Sequence, residues 1–219
     1  MNVLIVAPHP DDEAIGCGGS ICLHAACGDR ISVVYLSSGE LGLPHLPETE
    51  ARQLREKEAV AAAEVLGISE WTFLRLPDWF AGDCVERAAS DLGFVLERVP
   101  PDRVYLPHPE DDHPDHRASL PIVRAALRKR EGVQPDLLLY EVWTPMSTFD
   151  HVEDITGLME RKLQGLRCYA SQLGHFEYDR AVSGLNQFRG ALAGRCEFAE
   201  VFRWEAAAPL GLAASPEQA

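Results

Sequence analysis

Two short stretches of the chain concentrate side chains that can hold a metal or move a proton. The first, His9-Pro10-Asp11-Asp12-Glu13, follows the apolar run Val3 to Ala7. The second, His108-Pro109-Glu110-Asp111-Asp112-His113-Pro114-Asp115-His116, follows the run Arg103 to Leu106. Imidazole and carboxylate are the ligands a borderline divalent ion prefers, and three protein ligands beside an open position mark a catalytic rather than a structural site. Two histidines and a carboxylate also describe the triad of Fe(II) oxygenases, which lacks an adjacent base. The residue types by themselves therefore leave hydrolysis and oxidation both open. A blander origin for the two stretches is solvated turns whose aspartates cap the following helices. Capping takes one Asp per helix, far fewer ligand-type groups than these stretches carry.

For the two stretches to act together, the elements around them must bring them side by side. Val3 to Ala7 and Ile31 to Leu36 are continuous apolar runs, as strands buried on both faces require. Trp71 to Leu76, Arg103 to Leu106 and Leu137 to Val142 read as further strands, with Glu200 to Trp204 as a closing one. Helices are expected over Glu13 to Ala26, Glu50 to Leu66 with Gly67 as its C-terminal stop, and Val85 to Val99, which Pro100 and Pro101 end. More helices are expected over His116 to Arg130, Leu158 to Tyr169 and Arg180 to Leu192. Strands alternating with helices imply an α/β class: a single Rossmann-like layered domain, its sheet mostly parallel, with helices on both faces. In the common strand order 3-2-1-4, strands one and four are neighbours and their following loops face each other at the carboxyl edge of the sheet. That order sets His9 and Asp12 beside His113 and His116. Gly16, Gly18 and Gly19 come after the chain has entered the helix, so they suit close helix packing better than a phosphate cradle.

Composition narrows the partners. A net charge of −14, from 20 Lys and Arg against 34 Asp and Glu, repels a phosphate backbone and argues against nucleic acid and anionic membranes. The N-terminus has no basic segment ahead of its short apolar run, so neither a signal peptide nor a membrane anchor is expected, and the setting is read as cytoplasmic. The six cysteines form no CxxC pair and read as small buried hydrophobes. One domain is expected over 1–205, and the aperiodic Ala, Pro and Gly of 206–219 read as a flexible C-terminal tail. Trp79, Phe80 and Trp143 suit either a sugar platform or the interface of a homo-oligomer.

The motifs PHPDDE, Pro8 to Glu13, and HPDHR, His113 to Arg117, resemble those of the PIG-L/LmbE-like family of zinc-dependent N-acetylglucosamine de-N-acetylases. The resemblance extends to REKEAVAAAEVLG (Arg55 to Gly67), LPDW (Leu76 to Trp79), YEVWTP (Tyr140 to Pro145) and YASQ (Tyr169 to Gln172). It implies removal of the N-acetyl group from an N-acetylglucosamine-type amino-sugar conjugate, a small-molecule substrate, by attack of a metal-bound water. It implies Zn²⁺ as cofactor, with Fe²⁺ or another divalent ion able to take its place, held by His9, Asp12 and His116. Asp11 matches the family's general base and His113 its non-ligand catalytic histidine. The carboxylates nearby are expected to keep His113 charged, so that it stabilises an oxyanion. Arg55 matches a residue that holds a sugar hydroxyl or a phosphate, and Asp78 one that sits near the sugar. Two departures stand out: Trp79 replaces a usual Gly, and Asp111 and Asp112 stand where some members carry an assisting aromatic. Two readings remain beside this one, a metal-retaining sugar-binding protein without turnover and a metal-dependent amidohydrolase acting on a non-sugar amide. For Arg55 alone, the plain alternative is a solvated helix face shared with Glu56 and Glu58.

Overall fold

The apolar run at the N-terminus becomes β1 (Asn2–Ala7), which sends Val3, Ile5 and Ala7 into one core and Leu4 and Val6 into the other. Burial on both faces is what a central parallel strand demands. In this computed structural model, which describes residues 1–205 except Glu131 and His175, β2 (Arg30–Tyr35) and β3 (Glu70–Phe73) extend the sheet on one side of β1. On the other side lie β4 (Arg103–Pro107) and β5 (Asp136–Tyr140), also parallel. β6 (His151–Asp154) and β7 (Ala199–Glu205) complete the sheet in antiparallel pairing, giving the order β3-β2-β1-β4-β5-β7-β6. The expected 3-2-1-4 neighbourhood is present. The tail expected over 206–219 lies outside the described residues.

Seven α-helices surround the sheet among the described residues: α1 (Asp12–Ala26), α2 (Glu48–Leu66), α3 (Val85–Arg98), α4 (Pro114–Arg128), α5 (Met159–Leu166), α6 (Ala170–Leu173) and α7 (Tyr178–Arg189). α1, α2, α5 and α7 cover the face that carries Val3, Ile5 and Ala7, while α3 and α4 cover the other. The structure differs from the sequence expectation in several places. β3 ends at Phe73 rather than Leu76, because Arg75 takes a left-handed φ of 53° and turns the chain away. The helix expected over Leu158 to Tyr169 stops at Leu166, with α6 following as a separate turn. β6 was not anticipated, since His151-Val152-Glu153-Asp154 has no apolar run and lies at the edge of the sheet. Cys17 and Cys22 are buried, but Cys27 is exposed and Cys84, Cys168 and Cys196 are half-buried, so the expectation of six buried thiols is corrected. No helix among the described residues is long and apolar enough to cross a membrane.

One irregularity in α1 matters for the site at its start. The helix is broken at Cys17, where φ is −141° and ψ 22°. The break frees backbone groups that would otherwise be paired, and buried groups of this kind need partners. Glu200 of β7 accepts from the backbone of Gly19 and Ser20, both at 2.8 Å, and from the Ser20 hydroxyl at 2.6 Å. Lys162 of α5 donates to the Ile15 carbonyl at 2.8 Å and to Glu200 at 2.7 Å. Just before the break, a Cβ on Gly16 would fall inside the ring of Tyr140 on β5, so glycine lets the first turn of α1 lie directly on the sheet.

Candidate active site

Because β1 pairs with β4 in parallel, the two polar stretches leave the same edge of the sheet as neighbours. The first is a strained turn. Asp11 has a φ of 116°, a conformation that costs a non-glycine residue about 1–3 kcal/mol and persists only where its surroundings dictate it. Those surroundings are specific: the Asp11 backbone N–H donates to Glu13 Oε2 at 3.2 Å. Arg55 of α2 donates to the Pro10 carbonyl at 2.5 Å, to Asp11 Oδ2 at 3.1 Å and to the Gly39 carbonyl at 2.8 Å. Glu13 is itself fixed by the Tyr169 hydroxyl, which donates to its Oε1. The second stretch enters α4 through Pro114, and the cap is His113, whose Nδ1 accepts the Asp115 backbone N–H at 3.2 Å. Neither helix is capped by an aspartate: Asp11 makes no side-chain cap bond to α1, so helix capping does not explain the acidic residues.

Three donor atoms converge where the stretches meet. His9 Nδ1 lies 3.1 Å from Asp12 Oδ2, Asp12 Oδ2 lies 3.3 Å from His116 Nε2, and His116 Nε2 lies 3.4 Å from His9 Nδ1. Ligand atoms about 2.0–2.1 Å from a tetrahedral ion stand roughly 3.3–3.4 Å apart, so this triangle has the dimensions of one face of such a site. The backbone N–H of His9 holds Asp12 Oδ2 in place at 2.8 Å.

The outer nitrogens of both histidines face carboxylates, the usual way a protein orients a ligating imidazole. His9 Nε2 lies 3.2 Å from Asp115 Oδ2 and 3.2 Å from Asp78 Oδ1. His116 Nδ1 lies 3.1 Å from Asp111 Oδ1, though out of hydrogen-bond alignment. Two other sets also have donor atoms within 4.8 Å of one another: His9, His113 and His116, and His9, Asp78 and Asp115. In the second of these, the carboxylates also hold backbone N–H groups. Asp115 accepts from the backbone of Trp79 at 2.8 Å and Ala81 at 3.0 Å, and Asp78 accepts from Leu41 at 2.9 Å. In the first, His113 has committed Nδ1 to its cap, which assigns the proton of a neutral ring to Nε2 and leaves no lone pair there. The His9, Asp12 and His116 triangle is the set whose three spacings, 3.1 to 3.4 Å, match the face of a tetrahedral site.

Charge in the site follows from burial and from these contacts. Burial opposes charge on His9, but the carboxylates of Asp115, Asp12 and Asp78 outweigh it and raise its pKa. His116 is raised to about 9, where burial again opposes the shift and Asp12 and Asp111 prevail. For Asp12 burial is overcome by His116 and His9, which hold the carboxyl well below its ordinary range. Asp11 moves the other way, to about 7, because burial and the Asp12 charge outweigh Arg55. Burial likewise lifts Glu13 to about 8. His113 is lowered to about 4 by burial and by the charges of His9 and His116. This differs from the expectation of a charged His113: burial, with the two histidines beside it, outweighs the carboxylates.

Above the donors is an open cleft of about 240 Å³, into which Asp11, Arg55, Asp78 and His113 all face. Arg55 is buried, at 4% exposure, so the solvated-face alternative fails; Glu56 instead pairs with Arg75, and Glu58 holds Ser171. Both terminal nitrogens of Arg55 are committed to the first stretch rather than free in the cleft. Asp78 reaches the cleft through its contact with His9. Trp79 has a φ of 73°, a backbone that glycine adopts freely, and its ring lies 4.6 Å from that of His113. Sequence reasoning missed the orienting roles of Asp111 and Asp115. It also missed Phe176 and Tyr178, which with Trp143, already read as suiting a sugar platform, form one wall of the cleft. The acidic density of the second stretch was a signal for the aspartates, whereas Phe176 and Tyr178 belong to no motif.

Comparison with known proteins agrees with the fold and the motifs. The model of the PIG-L family, described as GlcNAc-PI de-N-acetylase, matches residues 4–127. A Bacillus cereus protein named a probable N-acetyl-alpha-D-glucosaminyl L-malate deacetylase 2 is 28% identical over 183 residues, covering 78% of this chain and 83% of its own. A Pseudomonas putida 4-oxalmesaconate hydratase is 30% identical over 211 residues, covering 83% of this chain and 78% of its own. Among solved structures, the N,N'-diacetylchitobiose deacetylase of Pyrococcus horikoshii superposes with a TM-score of 0.84 at 25% identity, over 94% of this chain and 84% of that one. With the family model matching more than half of its length, the chain belongs to the PIG-L family.

Proposed function

We propose that this protein is a metal-dependent deacetylase that removes the N-acetyl group from an N-acetylglucosamine-type amino-sugar conjugate. The observation that carries the reading is the triangle of His9 Nδ1, Asp12 Oδ2 and His116 Nε2, spaced 3.1 to 3.4 Å apart, with the Asp11 carboxyl beside it. Two imidazoles and a carboxylate fit Zn²⁺, and the same donors accept Fe²⁺ or another divalent ion. Such an ion, when bound, lowers the pKa of water and polarises a carbonyl.

The chain's own groups account for the proton transfers. Asp11 takes a proton from the attacking water, whose oxygen bonds to the acetyl carbonyl carbon. With a divalent charge at the neighbouring donors, the carboxylate form that this base requires is favoured. Arg55 keeps Asp11 Oδ2 pointed into the cleft. His113, neutral and protonated on Nε2, donates to the carbonyl oxygen as negative charge develops there. Asp11 then returns its proton to the nitrogen as the C–N bond breaks, giving a free amine and acetic acid, which ionises to acetate in water.

The hydratase among the relatives means that family membership does not by itself name the reaction. Amide hydrolysis is favoured here because a carboxylate substrate would meet a cleft whose one guanidinium, that of Arg55, is already committed. The test is amine release from N-acetylglucosamine and N,N'-diacetylchitobiose by protein stripped with a chelator and reloaded with Zn²⁺. Amine that appears only in the reloaded sample supports the proposal. Its absence from every N-acetylated sugar, with 4-oxalmesaconate hydrated instead, would replace it with the second reaction.

A further inference from the structure

The cleft above the donor triangle adjoins a second cavity, of about 220 Å³, through a shared wall of Ile15, Trp143 and Tyr178. The chemistry changes across that wall. Where the first cavity is dense in carboxylate and imidazole, the second is completed chiefly by Val142, Pro145, Val182 and Leu185. No Lys, Arg, His, Asp or Glu lines it among the described residues. Asn186 contributes the one amide, and its Oδ1 is buried without a hydrogen-bond partner.

We infer that this cavity is the aglycone subsite of the deacetylase proposed above, on which reading the inference rests, and that it takes an uncharged aromatic or short alkyl aglycone. Continuity is the first reason: an amino sugar with its acetamide over the donors has Trp143 and Tyr178 beside it, and its substituent continues past them. Wall chemistry is the second. Trp143 stands edge-on to Tyr178 at 5.9 Å, yet Trp143 remains 50% exposed. An apolar group placed there removes its own surface and theirs from water. A carboxylate or phosphate would lose its hydration with no cation to replace it. Arg55 is held by Pro10, Gly39 and Asp11, Arg189 is held by Glu141 and the Met146 carbonyl, and the whole chain carries −14. Size is the third reason, since a dry cavity of roughly 150 Å³ already admits benzene.

The experiment compares affinity and turnover for four probes: N-acetylglucosamine, its phenyl glycoside, its hexyl glycoside and its 1-phosphate. Affinity is read by calorimetry and turnover by amine release with Zn²⁺ present. Burial of a ring-sized apolar group predicts that the phenyl glycoside binds roughly 10- to 100-fold more tightly than the free sugar, and the 1-phosphate no better than it. Leu185→Lys should shrink the phenyl preference to about threefold or less and tighten the 1-phosphate. Equal affinity of the wild-type protein for the phenyl glycoside and the free sugar, or a preference for the 1-phosphate, overturns the aglycone assignment whatever the turnover. A retained phenyl preference with amine from none of the four probes would instead overturn the deacetylase reading and support the assignment of the cavity.

Discussion

Two buried polar clusters touch the same helix, and they are built on opposite plans. At the break in α1, Lys162 and Glu200 form a complementary pair, 2.7 Å apart, whose remaining polar capacity is taken up by Ile15, Gly19 and Ser20. At the start of α1, His9, Asp12 and His116 turn three acceptor-type atoms toward one point. The first cluster is finished as it stands. In the second, the outer nitrogens of both histidines face Asp115, Asp78 and Asp111, and the three inner atoms are left with only one another and the His9 backbone as partners. Buried charge mends a helix in one place and, on the function proposed above, serves chemistry in the other; the difference lies in whether the partners are complete.

If that contrast is right, substitutions at the two clusters move different observables. The largest effect is expected at the reactive end. Asp11→Asn keeps a side chain that tolerates the left-handed backbone but removes the base, so kcat should fall about 10²–10⁴-fold while bound metal and melting temperature stay close to wild type. Near-normal amine release from this variant would remove Asp11 from the role of base. At the mended break the effect should be on stability: Lys162→Met leaves Glu200 buried without its cation, and removing one partner of such a pair costs about 3–5 kcal/mol. The denaturation midpoint reports this. Adding Glu200→Gln should recover a good part of the loss, because the amide oxygen still accepts from Gly19 or Ser20 and no lone charge remains. A double variant no more stable than Lys162→Met would mean that complementarity is not what the pair contributes. The smallest effect is expected at Trp79, which shares the left-handed strain of Asp11 without its chemistry. Trp79→Gly should stabilise the fold by about 0.5–1 kcal/mol in a urea titration. A loss of stability there would show that packing of the indole on His113 outweighs the backbone relief.

The same contrast explains what could be read from the sequence. His9, Asp12 and His116 were legible because their strands are continuous apolar runs, which forces β1 and β4 into the middle of the sheet and sets their polar ends together. The Lys162 and Glu200 pair was not legible: its members are 38 residues apart, and the break at Cys17 that they serve has no Pro to announce it. β6 escaped because a half-exposed edge strand can be made of His, Glu and Asp without an apolar face. The charge of His113 was misread because the sequence shows its carboxylate neighbours, while the fold adds burial and two further histidines. Trp143, Phe176 and Tyr178 come together only through the packing of α7 and the segment after β5, so periodicity gave no sign of a shared wall.

The central claim is that three donors hold one catalytic ion, and metal binding tests it without relying on any substrate. Metal-free wild-type protein titrated with Zn²⁺ and examined by native mass spectrometry should take up one ion per chain. Asp11→Asn should do the same, and His116→Ala should retain none after desalting. Full occupancy in His116→Ala, or no retained ion in the wild-type protein, would contradict the account.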